Sequence, residues 1–284
     1  GQKHPPLAQL VSCAAIRVWG RALGELAAAR TASSLVFGVL CASIYAFAAR
    51  RYDERVALFA VLALVLLPRF QAHMRLATLE PLLALLCTLT VFAFARGVER
   101  RLAAVLAGVL FGLALLTKIN AWVLPAPLAV WALMFHRRRA WLPLAAMALL
   151  GPLLFVALWP PMWLGPVSGL LLYFQDKAGR SPMDVYYFGR AYVGEQAAGW
   201  HYAIVMALLT TPALMMGAVG AAAVRCRREW SSQPDAARLD VLMALGAAGF
   251  ILPSVLWPKG RADGVRLWLP AFPFLAVLAG RGAA

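Results

Sequence analysis

The residues suited to chemistry fall into four groups. The first is PRFQAHMRLATLEP at 68–81, which packs Arg69, His73, Arg75 and Glu80 beside long apolar runs. Glu80 stands inside an apolar run that continues to Phe94, where a carboxylate is expensive unless it is paired or functional. Arg75 is its nearest cation in sequence, so the two either form a pair that fastens two helices or belong to a site. The second group is Lys118 in GLALLTKINAW, a cation between two apolar runs. It can snorkel to a membrane interface or bind a lipid phosphate as a point charge. The third is the aromatic stretch 160–202, densest at DVYYFGR (184–190), which carries Tyr186, Tyr187, Arg190 and His201. Aromatic rings interleaved with a few charges suit sugar binding, and equally an interfacial aromatic belt. The fourth is KGRADGVR at 259–266, where Lys259, Arg261 and Arg266 would suit an anionic ligand or simple solvation near lipid headgroups.

The elements that must position these groups are apolar. Of 284 residues, 63% are hydrophobic and 14% charged, against roughly 25% charged in a soluble domain. That excess needs an apolar solvent, which a bilayer supplies. Runs long enough to span fall at about 31–49, 55–70, 77–95, 102–118, 119–135, 140–159, 201–224, 239–257 and 265–280. The stretch 102–135 is two helices or a pair broken around Lys118–Asn120. The expectation is an all-α polytopic transmembrane bundle of about eight or nine spans, forming one membrane-embedded domain over 1–284. The opening stretch 7–29 differs, with Leu7, Leu10, Val11, Ala14, Val18, Ala22 and Leu26 at helical spacing. Arg17, Arg21 and Glu25 follow each other at i,i+4 on another face, with Arg21–Glu25 a candidate ion pair. An amphipathic helix lying in the membrane interface fits this pattern better than a spanning helix.

The net charge of +15 is not the signature of nucleic-acid binding, because the basic residues sit in short clusters between apolar runs. Threading the spans places Arg50, Arg51, Arg55, Arg96, Arg100, Arg101, Arg137, Arg138, Arg139, Arg225, Arg227, Arg228, Arg238 and Arg281 on one side, in short loops. This dense side is expected to be cytoplasmic and to hold plain basic anchors. The turn 69–76, Lys118, the long loop 160–200 and the loop 258–266 then face outward. Cys13, Cys41, Cys87 and Cys226 show no close spacing and read as small core residues. His4, His73, His136 and His201 have no zinc-ligand spacing, so no metal site and no cofactor is recognisable.

The four groups, taken in order, resemble one known family. HPPLAQL looks like the HPPL segment of the protein O-mannosyltransferase family, which leads into a juxtamembrane helix there and in bacterial relatives of glycosyltransferase family 39, including the aminoarabinose transferases of lipid A. Arg30 with Ser33–Ser34, RLATLEP, GLALLTKINAW, the 184–202 stretch and RLWLPAFPFLAVLAGRG resemble later segments in the right order. The resemblance implies a C-type (GT-C) membrane glycosyltransferase, which takes a sugar from a polyprenyl-phosphate carrier with inversion at the outer face of the membrane. Cations should stabilise the departing phosphate, with Lys118, Arg261 and Arg266 as candidates. A carboxylate should take the acceptor proton. His73, Tyr186, Tyr187, Arg190 and His201 are candidates for contacts to sugar or acceptor, which could be protein, lipid or glycan.

The chain departs from the family at its start. The usual catalytic Asp lies in a first outer loop before the HPPL segment, and this chain opens at HPPL without a start methionine. A fragment lacking the first span and first outer loop is therefore expected. Glu80 is then the second acidic residue, positioning an acceptor or a partner arginine such as Arg75. Two other functions are alternatives. A transporter or flippase of lipid-linked sugars also fits intramembrane charge beside Pro-broken helices, and a non-catalytic membrane remnant fits the expected absence of the first catalytic loop. Expected partners are the polyprenyl-phosphate sugar and membrane lipids, in a bacterial inner membrane.

Overall fold

Apolar runs punctuated by Pro, Gly and short basic turns fold as helices, since a helix satisfies its own backbone groups in an apolar solvent. The structure is a computed structural model and describes residues 4–179, 184–193, 199–256 and 264–284. In chain order the helices are α1 (Leu7–Leu23), α2 (Glu25–Arg51), α3 (Glu54–Val65), α4 (Pro68–Met74), α5 (Glu80–Gly97), α6 (Arg101–Leu115) and α7 (Pro125–Phe135). They continue with α8 (Trp141–Ala157), α9 (Pro166–Ala178), α10 (His201–Thr210), α11 (Ala213–Glu229), α12 (Pro234–Leu256) and α13 (Phe272–Ala283). Short 3₁₀ turns occupy Ile119–Val123, Arg137–Ala140, Pro160–Met162 and Arg266–Ala271. Between α9 and α10, the strands β1 (Val185–Tyr187) and β2 (Arg190–Tyr192) pair antiparallel, with Val185 opposite Tyr192.

The expected all-α membrane bundle is present, with helices more broken than the apolar runs imply, and eight or nine spans are not reached among the described residues. Among the described residues, four helical segments are long and apolar enough to cross a membrane: α2, α5, Arg137–Ala157 and α12. The number reaches six if two bent pairs each count as one span, α3 with α4 at 77° and α10 with α11 at 107°. Pro68 opens α4 and Pro212 precedes α11, and Pro can neither donate to the helical ladder nor fit beside the preceding turn. α6 stops at Leu115, short of Lys118, and the segment Ile119–Phe135 is likewise short. The opening helix also differs from its expected span of 7–29. It ends at Leu23, because Gly24 takes a φ of 80°, and Glu25 begins α2. Arg21 and Glu25 therefore stand in different helices, which removes their i,i+4 relation. Leu10, Val18, Leu35, Leu149, Leu153 and Leu214 are all exposed, an outer surface suited to lipid and not to water. The chain is an integral membrane protein.

One helix organises the rest. α5 is 83% buried, against 33–39% for the other three long spans. It packs against α2, α6 and the Arg266–Ala271 turn. Phe47 of α2 and Phe92 of α5 stack with ring centroids 3.8 Å apart. Thr88 and Thr90, buried within α5, donate to the carbonyls of Ala84 and Leu86 at 2.7 Å, so their hydroxyls cost little. α6 packs closely on α8 through Gly108 and Gly112, a Gly-x-x-x-Gly spacing that lets helix backbones approach. A Cβ on Gly108 would sit 2.5 Å from the Ala146 carbonyl oxygen.

At the Gly97 end of the bundle, the basic residues are not all plain anchors. Arg281 of α13 is 2% exposed. Its Nε donates to the two Asp240 oxygens at 3.2 and 3.3 Å, and its Nη2 donates to Glu229. Tyr52 Oη donates to Asp240 at 3.0 Å, and the Arg281 guanidinium lies 4.7 Å from the Tyr52 ring centre. Arg225 donates to Glu229 at 2.7 Å and to the Arg281 carbonyl at 3.0 Å. Burial and the Asp240 carboxylate hold the Tyr52 phenol well above its ordinary range, so it remains a donor. This knot ties α11, α12, α13 and the end of α2. A positive-inside reading of sequence counts Arg225 and Arg281 as surface charge because their partners lie far away along the chain.

The close α6–α8 contact sets an expected outcome. Gly108→Leu must push the α8 backbone away and should cost about 1–3 kcal/mol, read as a lower unfolding midpoint in detergent. Gly38→Ala, where a Cβ meets nothing within 4 Å, should leave the midpoint unchanged or slightly raised.

Candidate functional site

The site begins with the local structure that carries Glu80. After α4 the chain turns through Arg75–Leu79, and Glu80 with Pro81 opens α5. Pro is tolerated in a first helical turn, where no N–H is needed, and an acid there complements the helix dipole. Glu80 is fully buried. Its Oε1 accepts from Lys118 Nζ at 3.0 Å and from Arg266 Nε at 2.8 Å. Its Oε2 is buried and makes no hydrogen bond among the described residues, as does the neighbouring Thr78 hydroxyl. Lys118 is 8% exposed, while Arg266 is half-buried.

Each cation is delivered by a helix break. α6 ends at Leu115, Lys118 is extended, and a 3₁₀ turn follows at Ile119–Val123. Asn120 Nδ2 donates to the Leu267 carbonyl at 2.8 Å, tying the Lys118 turn to the segment that carries Arg266. The opening residues close on the same place, for Leu7 N donates to the Leu116 carbonyl at 3.1 Å. Gly264, with φ of +54°, lies against the Arg69 guanidinium, and a Cβ there would collide with it. An aromatic wall stands beside the turn: Trp122 meets Phe155 and Phe174 with ring centres 5.9 and 5.2 Å away.

The candidate residues from the sequence do not all converge. Glu80, Lys118 and Arg266 meet in one ionic cluster. Arg75 does not join it. It caps the end of α4, is exposed, and lines a cavity of about 740 Å³ with Glu25, Arg30, Thr31 and Ser34. Sequence proximity pointed to the wrong cation because the turn after α4 directs Arg75 away while distant helix breaks bring Lys118 and Arg266 in. His73 lies half-buried in the last turn of α4. Arg261 lies outside the described residues. The aromatic residues form a second unit. Tyr187 and Tyr202 are buried together, with ring centres 5.2 Å apart, and His201 lies 5.6 Å from Tyr187. Tyr186 is exposed, and Arg190 stacks over Tyr192 at 5.3 Å. Met206 packs against both this unit and the main core. Sequence reading missed Asn120, Thr78 and the Gly264–Arg69 contact. Only Asn120, a polar residue beside Lys118 in an apolar setting, offered a signal. Among the described residues, no three His, Cys, Asp or Glu side chains gather as a metal site would need.

The cluster has a measurable consequence for stability. Glu80→Gln removes the carboxylate charge that Lys118 and Arg266 both contact, and removing one partner from a buried ion pair costs about 3–5 kcal/mol. Arg75→Gln, at an exposed side chain, should stay within about 0.5 kcal/mol. Unfolding midpoints of the two variants in the same detergent should separate accordingly.

Comparison with known proteins agrees with this architecture. The structure is similar to the crystal structure of ArnT from Cupriavidus metallidurans bound to undecaprenyl phosphate, at 18% identity and a TM-score of 0.71, covering 99% of this chain and 50% of that one. The apo structure of the same protein matches with a TM-score of 0.72 at 18% identity, covering 99% of this chain and 49% of that one. The chain thus spans about half the length of the solved proteins it matches, and it shares their membrane fold. No curated protein matches it by sequence. Residues 3–164 match the model of the dolichyl-phosphate-mannose-protein mannosyltransferase family, and with more than half its length matched, the chain belongs to that family.

Proposed function

We propose that this chain is the membrane-embedded part of a glycosyltransferase that moves a sugar from a polyprenyl-phosphate carrier to an acceptor. The observation that carries the reading is the buried Glu80 held between Lys118 and Arg266 at 3.0 and 2.8 Å. Family membership supports a transferase, and the solved relative with undecaprenyl phosphate supports a lipid-phosphate donor. The reaction joins an acceptor oxygen to the anomeric carbon as the bond from that carbon to the carrier phosphate breaks. Attack from the opposite face inverts the centre, the electron pair leaves on phosphate, and the acceptor proton goes to a carboxylate. Cations preorganised beside the leaving oxygen stabilise its growing charge. Lys118 and Arg266 serve as those cations, with Arg261 as a third. Glu80 holds the two in place and keeps the site neutral enough to persist before the donor enters. It is the second acid of the site, not the principal base. The unit of Tyr186, Tyr187, Arg190 and His201, with His73 and Arg75, contacts sugar or acceptor. The Glu80 end of the bundle faces outward from a bacterial inner membrane.

Transfer of labelled sugar from a polyprenyl-phosphate donor, by the full-length protein in proteoliposomes, tests this reading. Lys118→Ala should lower the rate on the order of a hundredfold, the usual effect of losing one stabilising donor. Arg266→Gln and Glu80→Gln should fall similarly in the folded fraction. Wild-type rates in Glu80→Gln and Lys118→Ala would overturn the site, and lipid-linked sugar crossing the membrane without transfer would point to a transporter.

A further inference from the structure

A second charged feature lies at the far end of α5 from Glu80. The helix has 18 residues, which at 1.5 Å per residue separates its ends by about 27 Å. At the Gly97 end, Arg50, Arg51, Arg96 and Arg100 line one cavity of about 180 Å³ with Glu99 and Phe47. Four guanidiniums thus face a single carboxylate. None of the four takes part in an ion pair or hydrogen bond of its side chain among the described residues. Arg51 and Arg96 are half-buried, whereas Arg50 and Arg100 are exposed.

Orientation in the membrane explains why cations lie on this face. It does not explain why four converge, unpaired, on one concavity. Arg137, Arg138 and Arg139 show what orientation alone looks like: they are exposed on a turn and do not line this cavity. The cavity is also well supported. Phe47 is stacked flat on Phe92, which fixes α2 against α5 and gives the charged ring an apolar edge. α6 begins at Arg101 without a side-chain cap, and its N-cap residue is Arg100 itself. The first backbone N–H groups of that helix therefore start beside the cavity, where anions are favoured.

We propose that these four arginines form a binding site for a phosphate group, that of an anionic phospholipid headgroup in the leaflet opposite Glu80. Arginine forks match phosphate oxygens two at a time, and basic pockets between helices at a membrane face take such headgroups. The cavity holds about six waters' worth of space, enough for one phosphodiester with part of its hydration. The acyl chains would run along the exposed apolar flank of α2. This site is independent of sugar transfer and lies away from the ionic cluster of Glu80.

The experiment compares lipid binding by the purified full-length protein. Wild type, Arg51→Gln/Arg96→Gln and Arg138→Gln/Arg139→Gln are titrated with phosphatidylglycerol or phosphatidylcholine, and bound lipid is counted by native mass spectrometry. Wild type should retain phosphatidylglycerol over phosphatidylcholine. The cavity pair should lose that preference by about tenfold or more, while the turn pair, with the same change in charge, keeps it. Equal loss in both pairs, or no preference in wild type, would overturn the proposal. A parallel arm adds inorganic phosphate. Survival of the lipid adduct assigns the site to lipid, and displacement of the lipid at millimolar phosphate would overturn the lipid source in favour of a free anion. Should the cavity pair not fold, hydrogen exchange on wild type decides the matter. Phosphatidylglycerol is expected to slow exchange at 96–102 and not at 136–140, and the reverse pattern would overturn the site.

Discussion

A single carboxylate fixes the geometry of one end of this bundle. Glu80 is fully buried at the head of α5, and its two cations come from chain positions 38 and 186 residues away. In a bilayer, apolar side chains distinguish poorly between helix and lipid, so packing alone leaves helix register weakly specified. A buried charge is different, because every misregistered arrangement strands it without a partner. The pair thus selects one mutual placement of α5, the α6–α7 break and the Arg266 segment. The Asn120–Leu267 bond adds a neutral link between the same two breaks, so each cation is held by more than its charge.

The opposite end repeats the device with other residues. Arg281, Asp240, Glu229, Arg225 and Tyr52 join four helices. The segment from Arg266 to Arg281 therefore carries a cation of each cluster, one near either end of the bundle. Gly280 and Gly282 allow α13 to lie directly on the backbones of α3 and α11, so the strut between the clusters is closely packed along its side. The consequence is a frame tied at both ends that tolerates broken helices. Helices stop short at Leu115 and bend at Pro68 and Pro212, and such breaks in the ladder are tolerated where protein lines the freed backbone.

Much of this frame was legible in the sequence. The apolar runs gave the membrane class and the approximate place of most helices, though α9 (Pro166–Ala178) falls in a stretch that reads as a long loop. Glu80 and Lys118 stood out because charge in or between apolar runs is costly, and Arg266 because it belongs to a cationic loop. What stayed hidden was relation across distance. Arg75 was the near cation and Lys118 the true partner, a difference set by the turn after α4. Arg281 resembled any basic residue near a helix end, because Asp240 and Glu229 lie 41 and 52 positions away. The lower number of long straight helices among the described residues has a related cause. Hydropathy registers that a run is long enough to cross, while Pro68, Pro212 and Gly24 decide whether it stays straight.

The broken helices also explain why polar residues meet at all. A straight span would carry Lys118 past the end of α6 on a continuous helical face, committed to whichever neighbour that face met. Ending α6 at Leu115 frees Lys118 as extended chain, and a lysine there can reach Glu80 at 3.0 Å. The Arg266–Ala271 turn does the same for Arg266 before α13 starts. Each break gives up backbone hydrogen bonds to gain freedom of direction, and both face the same carboxylate. That shared direction follows from Glu80 opening α5, where the side chain projects from the first turn toward the neighbouring breaks. A charge in the middle of α5, among Leu, Ala and Phe packed on every side, would have no comparable set of loose ends to answer it.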